Sequence, residues 1–162
     1  MMQRRAVLWH RRRVIALGTT ARGSRPAWRP RADYHCPHVR ERVGHVGDGG
    51  KWLCGVASLL QRPGCVAFAL GSDGDTSFEE ALLNRTRCEV HTFDHTLNAT
   101  EQAAVRRVPG VRLHDTGLAA EPAAAGAMLQ TLPAMMAGLQ VAWLDVLKVD
   151  VEGAEWRALA HW

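Results

Sequence analysis

The feature that most constrains the fold is an apolar run leading into a glycine turn, residues 65–75. Its first six residues are apolar or small without alternation, which is typical of a strand covered on both faces in a parallel sheet. Gly71 and Gly74 allow a sharp turn and a close approach to a ligand. Ser77 and Glu80 have capping-box spacing, so we expect a helix to begin there. This order predicts the nucleotide-binding start of a doubly wound α/β domain.

The glycine turn alone does not separate a nucleotide site from an ordinary connecting turn, because it holds only part of the dinucleotide fingerprint. Residues 88–94 predict the next strand, and Asp94 at its end lies 23 residues after Gly71. A carboxylate about 20 residues after such a turn is expected to bind ribose hydroxyls. The alternative is a helix cap or a solvated loop aspartate. The predicted cofactor-binding residues are therefore Gly71, Ser72, Asp73, Gly74 and Asp94.

A third strand is predicted at residues 111–114, after a helix between Asn98 and Arg107. Asp115 follows this strand at its carboxyl end, where ligands bind in open parallel sheets. We expect Asp115 to meet the exocyclic amine of an adenine. A turn aspartate with no ligand role is the alternative.

A fourth strand is predicted from Val146 to Val151, and carboxylates follow at its carboxyl end. Alternation places Lys148 and Asp150 on the same side of this strand. Asp150 and Glu152 are the candidate catalytic residues, because such carboxylates can act as a general base, bind a cation or hold a ligand's amino group. The alternative is that Asp150 pairs with Lys148, while Glu152 favours the start of the next helix through its dipole.

The glycine-rich segment at residues 43–54 has two interpretations. Asp48, Gly49 and Gly50 form a turn signal between apolar residues, which indicates a short hairpin. Functional loops also carry such glycines, so the segment could instead lie over a ligand pocket, with Lys51 offering a cation to a carboxylate.

Charge is distributed unevenly between the first 31 residues and the rest of the chain. Residues 1–31 hold nine of the 20 basic residues and no acidic ones, so the other 11 basic residues accompany all 16 acidic ones, a net charge of −5. An acidic domain argues against a nucleic-acid-binding face. We expect residues 1–33 to be a flexible Arg-rich segment and 34–162 to be the domain. The segment is either an organelle transit peptide or a disordered start.

The four cysteines and the apolar runs limit the possible sites further. The spacing includes no Cys-x-x-Cys pair, which argues against a metal site with zinc. Cys65 and Cys88 are expected to be buried small apolar residues, whereas Cys36 and Cys54 could pair in an oxidising compartment. No stretch of about 18 apolar residues is present, so no transmembrane segment is expected.

Several motifs in the same order resemble one known family. Residues 47–54, 68–71, 77–79, 88–94 and 147–155 resemble FkbM-like S-adenosylmethionine-dependent methyltransferases, and most closely the methyltransferase-domain family typified by animal methyltransferase-like protein 24. The similarity runs from residue 36 to residue 156. It implies a Rossmann-like class I methyltransferase sheet, S-adenosyl-L-methionine as cofactor, and Gly71, Asp94 and Asp115 at the cofactor. It also implies O-methyl transfer to a small-molecule or glycan hydroxyl.

The family pattern has seven strands, so the resemblance also implies a partial domain. We expect a mostly parallel α/β sheet with strand order 3-2-1-4, later strands missing, and the edge at residues 146–151 uncovered. Such an edge would invite self-association, and the chain could be inactive. The alternative functions are an NAD-type Rossmann oxidoreductase and a non-catalytic interaction module.

Overall fold

Strands and helices alternate along most of the chain in the computed structural model, which describes residues 15–17, 35–124 and 126–159. The strands are β1 (Ile15–Leu17), β2 (Arg40–Val43), β3 (Lys51–Cys54), β4 (Val66–Leu70), β5 (Glu89–Phe93), β6 (Val111–His114), β7 (Gly117–Leu118), β8 (Leu129–Gln130) and β9 (Val146–Val149). The helices are α1 (Ser77–Arg85), α2 (Ala99–Arg106), α3 (Leu132–Gly138) and α4 (Ala154–Leu159), with a short 3-10 helix at Val56–Leu59.

The main sheet has five strands in the order β1-β9-β4-β5-β6, and every neighbouring pair is parallel. Central strand β4 pairs on both sides, so that Ala69 lies opposite Thr92 in β5 and opposite Lys148 in β9. β2 and β3 form a separate antiparallel hairpin, and β7 and β8 a short parallel pair. The prediction of an α/β fold with a mostly parallel sheet is confirmed.

The edge of β9 is paired, so the expectation of an uncovered edge there is wrong. Ile15–Leu17 runs parallel to Leu147–Val149, and strand pairing satisfies the backbone groups that an open edge would expose. Self-association through this edge would therefore require β1 to leave. The predicted order 3-2-1-4 did not include β1, because residues 15–17 fall within the segment expected to be flexible. The rest of residues 1–33 lies outside the described residues.

The two faces of the sheet support two apolar layers, as the alternation of strand side chains requires. On one face Ala67, Val90 and Val146 pack with the hairpin and with Phe78 and Leu82 of α1. On the other face Phe68, Leu70 and Val149 pack with α3 and α4. Burying one side chain the size of Phe68 contributes about 1.5–3 kcal/mol. Both layers hold β4 rigidly, and its end carries the glycine turn.

Both predicted helices begin where expected, at Ser77 and after Asn98, but their N-terminal caps differ from each other. In α1 the N-cap is Thr76, whose side chain makes no capping hydrogen bond, so the predicted capping box of Ser77 and Glu80 is wrong. A capping box forms instead in α2, between Asn98 and Glu101. Within the described ranges no helix is long and apolar enough to cross a lipid bilayer.

All four cysteines are paired. Cys36 pairs with Cys54, as one of the open alternatives allowed, and Cys65 pairs with Cys88. The expectation that Cys65 and Cys88 are unpaired apolar residues is therefore wrong, although both are buried. Their disulfide joins the chain just before β4 to the chain just before β5. Closing loops of 18 and 23 residues stabilises the fold by about 3 kcal/mol each in the chain-entropy account.

The two disulfides should differ in their resistance to reductant. Cys65 and Cys88 are 1% and 4% exposed, whereas Cys36 and Cys54 are half-buried. Because exchange requires access to a sulfur atom, mild reduction of the folded protein should free only Cys36 and Cys54. Alkylation followed by peptide mass spectrometry measures this. Equal alkylation of all four cysteines without denaturant would contradict the expectation.

Candidate functional site

The carboxyl ends of three central strands lie side by side. The Gly71 amide donates to the carbonyl oxygen of Phe93 at 2.9 Å, which joins the end of β4 to the end of β5. The Asp150 amide donates to the carbonyl oxygen of Leu70 at 2.8 Å, which joins β9 to β4. The structure thus brings together most of the predicted site residues: Gly71, Ser72, Asp73, Gly74, Asp94 and Asp150.

The glycine turn is left-handed at three of its four positions. Gly71, Asp73 and Gly74 have φ values of 82°, 48° and 75°. A Cβ atom at Gly71 would overlap the carbonyl oxygen of Asp150, so glycine is required here by the neighbouring strand. A Cβ atom at Gly74 would lie 3.7 Å from the Glu101 side chain, an ordinary van der Waals contact, so at this position the positive φ rather than a close approach favours glycine.

Asp94 accepts five hydrogen bonds, three from the glycine turn and two from Thr96. Its Oδ2 accepts from the Ser72 amide at 2.8 Å, the Ser72 hydroxyl at 2.9 Å and the Asp73 amide at 3.0 Å. Its Oδ1 accepts from the Thr96 amide at 3.0 Å and the Thr96 hydroxyl at 2.6 Å. A carboxylate has about four lone-pair sites, so these donors use its full capacity. A ribose diol would have to replace one of the two hydroxyls.

These hydrogen bonds also fix the charge of Asp94. Burial raises the pKa of its carboxyl group, but the hydrogen bonds from Thr96, Ser72 and Asp73 outweigh burial, so the pKa lies below its usual value of 3.8. The side chain is therefore ionised at neutral pH although the residue is only 4% exposed. Its contact with a ribose stays a prediction.

Asp150 forms an ion pair with Lys51 of the hairpin. The distance between Lys51 Nζ and Asp150 Oδ2 is 2.7 Å, and the two side chains are 9% and 20% exposed. Lys51 Nζ also donates to the carbonyl oxygen of Asp48. The alternative in which Asp150 pairs with Lys148 is therefore wrong. The carboxylate that Lys51 contacts is therefore that of Asp150, a residue of the protein itself.

Lys148 instead forms a buried pair with Glu79 of α1, beneath the site. Lys148 Nζ lies 3.4 Å from Glu79 Oε1, and the side chains are 2% and 0% exposed. Burial raises the pKa of Glu79 above its usual value, and the Lys148 ammonium only partly offsets this. Glu79 Oε2 has no hydrogen-bond partner within the described part of the chain. This pair ties α1 to β9 inside the apolar layer.

The other two predicted site residues, Glu152 and Asp115, are exposed at the carboxyl edge of the main sheet. Glu152 is exposed in the turn between β9 and α4, and its φ of 52° is unusual for a residue other than glycine. Asp115 is exposed after β6. Both follow strands of the main sheet at its carboxyl edge, but neither belongs to the hydrogen-bond network of the glycine turn.

The hairpin predicted for residues 43–54 is confirmed, and its loop packs against the start of α1; its position over a ligand pocket stays a prediction. The His45 amide donates to Ser77 Oγ at 3.1 Å, and His45 Nδ1 lies 3.3 Å from Asp75 Oδ2. A Cβ atom at Gly49 would overlap the Asp75 carboxylate. Sequence reasoning missed these contacts and the role of Thr96. The position of Thr96 two residues after Asp94 was the available signal, since it suits an Asx turn.

A parallel sheet whose central strand ends in a glycine turn, with an acid at the end of the next strand, defines the Rossmann-like class of nucleotide-binding folds. Within that class, a family model described as a methyltransferase domain matches residues 26–162. The chain belongs to this methyltransferase-domain family. No curated protein and no solved structure shows significant similarity to the chain.

Replacing Gly71 by alanine should destabilise the fold strongly, because the new Cβ meets the Asp150 carbonyl in addition to the strain of a positive φ. We expect a loss of about 3 kcal/mol or more in the free energy of unfolding. Gly64→Ala is the matched control, since Gly64 also has a positive φ but open space around it. Urea denaturation measures the free energy of unfolding of both variants. Equal losses would contradict the close approach of the Asp150 carbonyl to Gly71.

Asp94→Asn should lower the free energy of unfolding by about 2–3 kcal/mol at neutral pH, because charge-assisted hydrogen bonds are lost. The folded pKa is lowered, so this stabilisation is complete above about pH 3.8 and disappears as the pH falls through the folded pKa. The gap between wild type and variant should therefore close in acid. Asp115→Asn, at an exposed aspartate, is the control. A gap independent of pH would contradict the assignment.

Proposed function

We propose that the chain is an S-adenosylmethionine-dependent methyltransferase that methylates a hydroxyl oxygen of a small molecule or glycan. The observation that carries this proposal is the meeting of three strand ends at the glycine turn, with Asp94 and Asp150 on either side. Family membership supports methyl transfer in general. The O-methyl reaction rests on the resemblance to FkbM-like enzymes.

The residues at the turn suit a ligand with an adenosyl group and a charged end. Gly71 and Gly74 give the turn a backbone without side chains at two positions, and Asp150 is a partly exposed carboxylate next to it. We assign Gly71, Ser72, Asp73 and Gly74 to the cofactor backbone, Asp94 to the ribose side and Asp115 to the adenine side. Exchange of a hydroxyl at Asp94 would provide the acceptor that a ribose needs.

The cofactor supplies an electrophilic methyl group on a positively charged sulfur. The chain's part is to hold the acceptor hydroxyl close and aligned, to exclude water and to remove the hydroxyl proton. Lys51 already engages Asp150, so we assign proton removal to Glu152, whose side chain is exposed at the same edge. The positive φ at Glu152 supports a functional role, since unusual backbone conformations cluster at active sites.

The disulfides bear on where the protein works. All four cysteines are paired, and such bonds form and persist in oxidising compartments. We therefore propose that the protein acts in an oxidising compartment, where glycans and secreted molecules offer hydroxyl groups.

Calorimetric titration of the oxidised chain tests the cofactor assignment. S-adenosylhomocysteine should bind, whereas NAD should not, because Ser72 and Asp73 replace the tighter glycine pair that a pyrophosphate requires. Binding of NAD alone would favour an oxidoreductase. Binding of neither ligand would favour an interaction module and contradict the proposal.

Glu152→Gln should leave S-adenosylhomocysteine affinity unchanged, because the proton-removing group faces the acceptor. Methyl transfer to a hydroxyl acceptor should fall about 10²-fold or more, as loss of general-base catalysis gives. Glu121→Gln, at an exposed loop position, is the control; Glu155, although nearer in the sequence, is buried. Unchanged transfer in Glu152→Gln would remove Glu152 from the reaction.

A further inference from the structure

The ion pair between Lys51 and Asp150 lies beside the glycine turn. Asp150 is fixed there by its backbone, because its amide bonds Leu70 and its carbonyl faces Gly71 without room for a Cβ. Lys51 reaches it from the separate β2–β3 hairpin at 2.7 Å. The site is thus built from two elements that are distant in the sequence.

The chemistry of this pair matches one end of the proposed cofactor. S-adenosylmethionine ends in an amino acid, which carries an α-ammonium and an α-carboxylate next to each other. We propose that Lys51 and Asp150 form the subsite for this end, with Asp150 accepting from the α-ammonium and Lys51 donating to the α-carboxylate. This inference rests on the proposed function and adds Lys51 of the hairpin as a cofactor-binding residue.

The burial of the pair supports a role in binding. The Lys51 side chain is 9% exposed and Asp150 is 20% exposed, so both charges are already largely removed from water, while the carboxylate remains reachable. A zwitterion that adds one charge of each sign to such a pair meets countercharges that the fold already holds in place. Preorganised partners of this kind reduce the ordering cost of binding.

A second ion pair holds the same hairpin without approaching the turn. Arg85 Nη2 at the end of α1 pairs with Glu41 Oε2 in β2. Both side chains are about one third exposed, at 37% and 27%. If Lys51 only anchored the hairpin, removal of either pair should have similar effects. Arg85→Met is therefore the matched control for Lys51→Met.

The experiment compares two ligands that share the adenosyl group, S-adenosylhomocysteine and 5′-methylthioadenosine, which has no amino-acid end. Calorimetry on the oxidised chain gives the ratio of their affinities. In wild type S-adenosylhomocysteine should bind more tightly. Lys51→Met and Asp150→Asn should each reduce that preference about tenfold or more, as expected for a lost hydrogen bond to a charged group, while the affinity for 5′-methylthioadenosine is unchanged.

Lys51→Arg should retain most of the preference, and Arg85→Met should retain all of it. An unchanged ratio in both Lys51→Met and Asp150→Asn, with wild type binding both ligands, would overturn the subsite and leave the proposed function intact. If wild type binds neither ligand, the proposed function and the subsite both fail. Thermal unfolding shows whether each variant folds. If Lys51→Met or Asp150→Asn does not fold, the affinity ratio of the other variant tests the subsite.

Discussion

The carboxylate of Asp94 is the interaction on which the arrangement of the strand ends depends. It accepts two backbone amides and one hydroxyl from the glycine turn, and an amide and a hydroxyl from Thr96. A left-handed turn leaves several amides without partners in a regular structure, and unpaired buried amides are costly. One ionised side chain from the neighbouring strand satisfies those of Ser72 and Asp73 and thereby fixes the turn against β5.

Two ion pairs near the turn lie at different depths. Lys148 and Glu79 lie within the apolar layer, where an unpaired charge would be strongly unfavourable. Lys51 and Asp150 lie at the edge, where a ligand can reach the carboxylate. Lys148 in β9 and Asp150 just after it have the spacing of residues on one side of a strand. α1 and the hairpin both pack on one face of the sheet, and each supplies the partner of one of these charges.

The local pattern of the sequence was sufficient for the parallel sheet and for the glycine turn, because an unalternating apolar run before Gly71 has few other solutions. The local sequence pattern did not predict which side chains form ion pairs with Lys148 and Asp150. A pair between Lys148 and Asp150, two residues apart, was one alternative, but Glu79 and Lys51 approach them only after α1 and the hairpin fold onto the sheet. β1 was missed for a similar reason, since three residues among arginines and prolines show no period.

The disulfide between Cys65 and Cys88 has a mechanical consequence for the strand ends. It joins β4 and β5 where they start, and Asp94 joins them where they finish. Two neighbouring strands fastened at both extremities cannot slide lengthwise past each other, so the separation of Ser72 from Asp94 is set by covalent length along the strands. We therefore expect the spacing of these two tips to vary less than the positions of the surrounding loops.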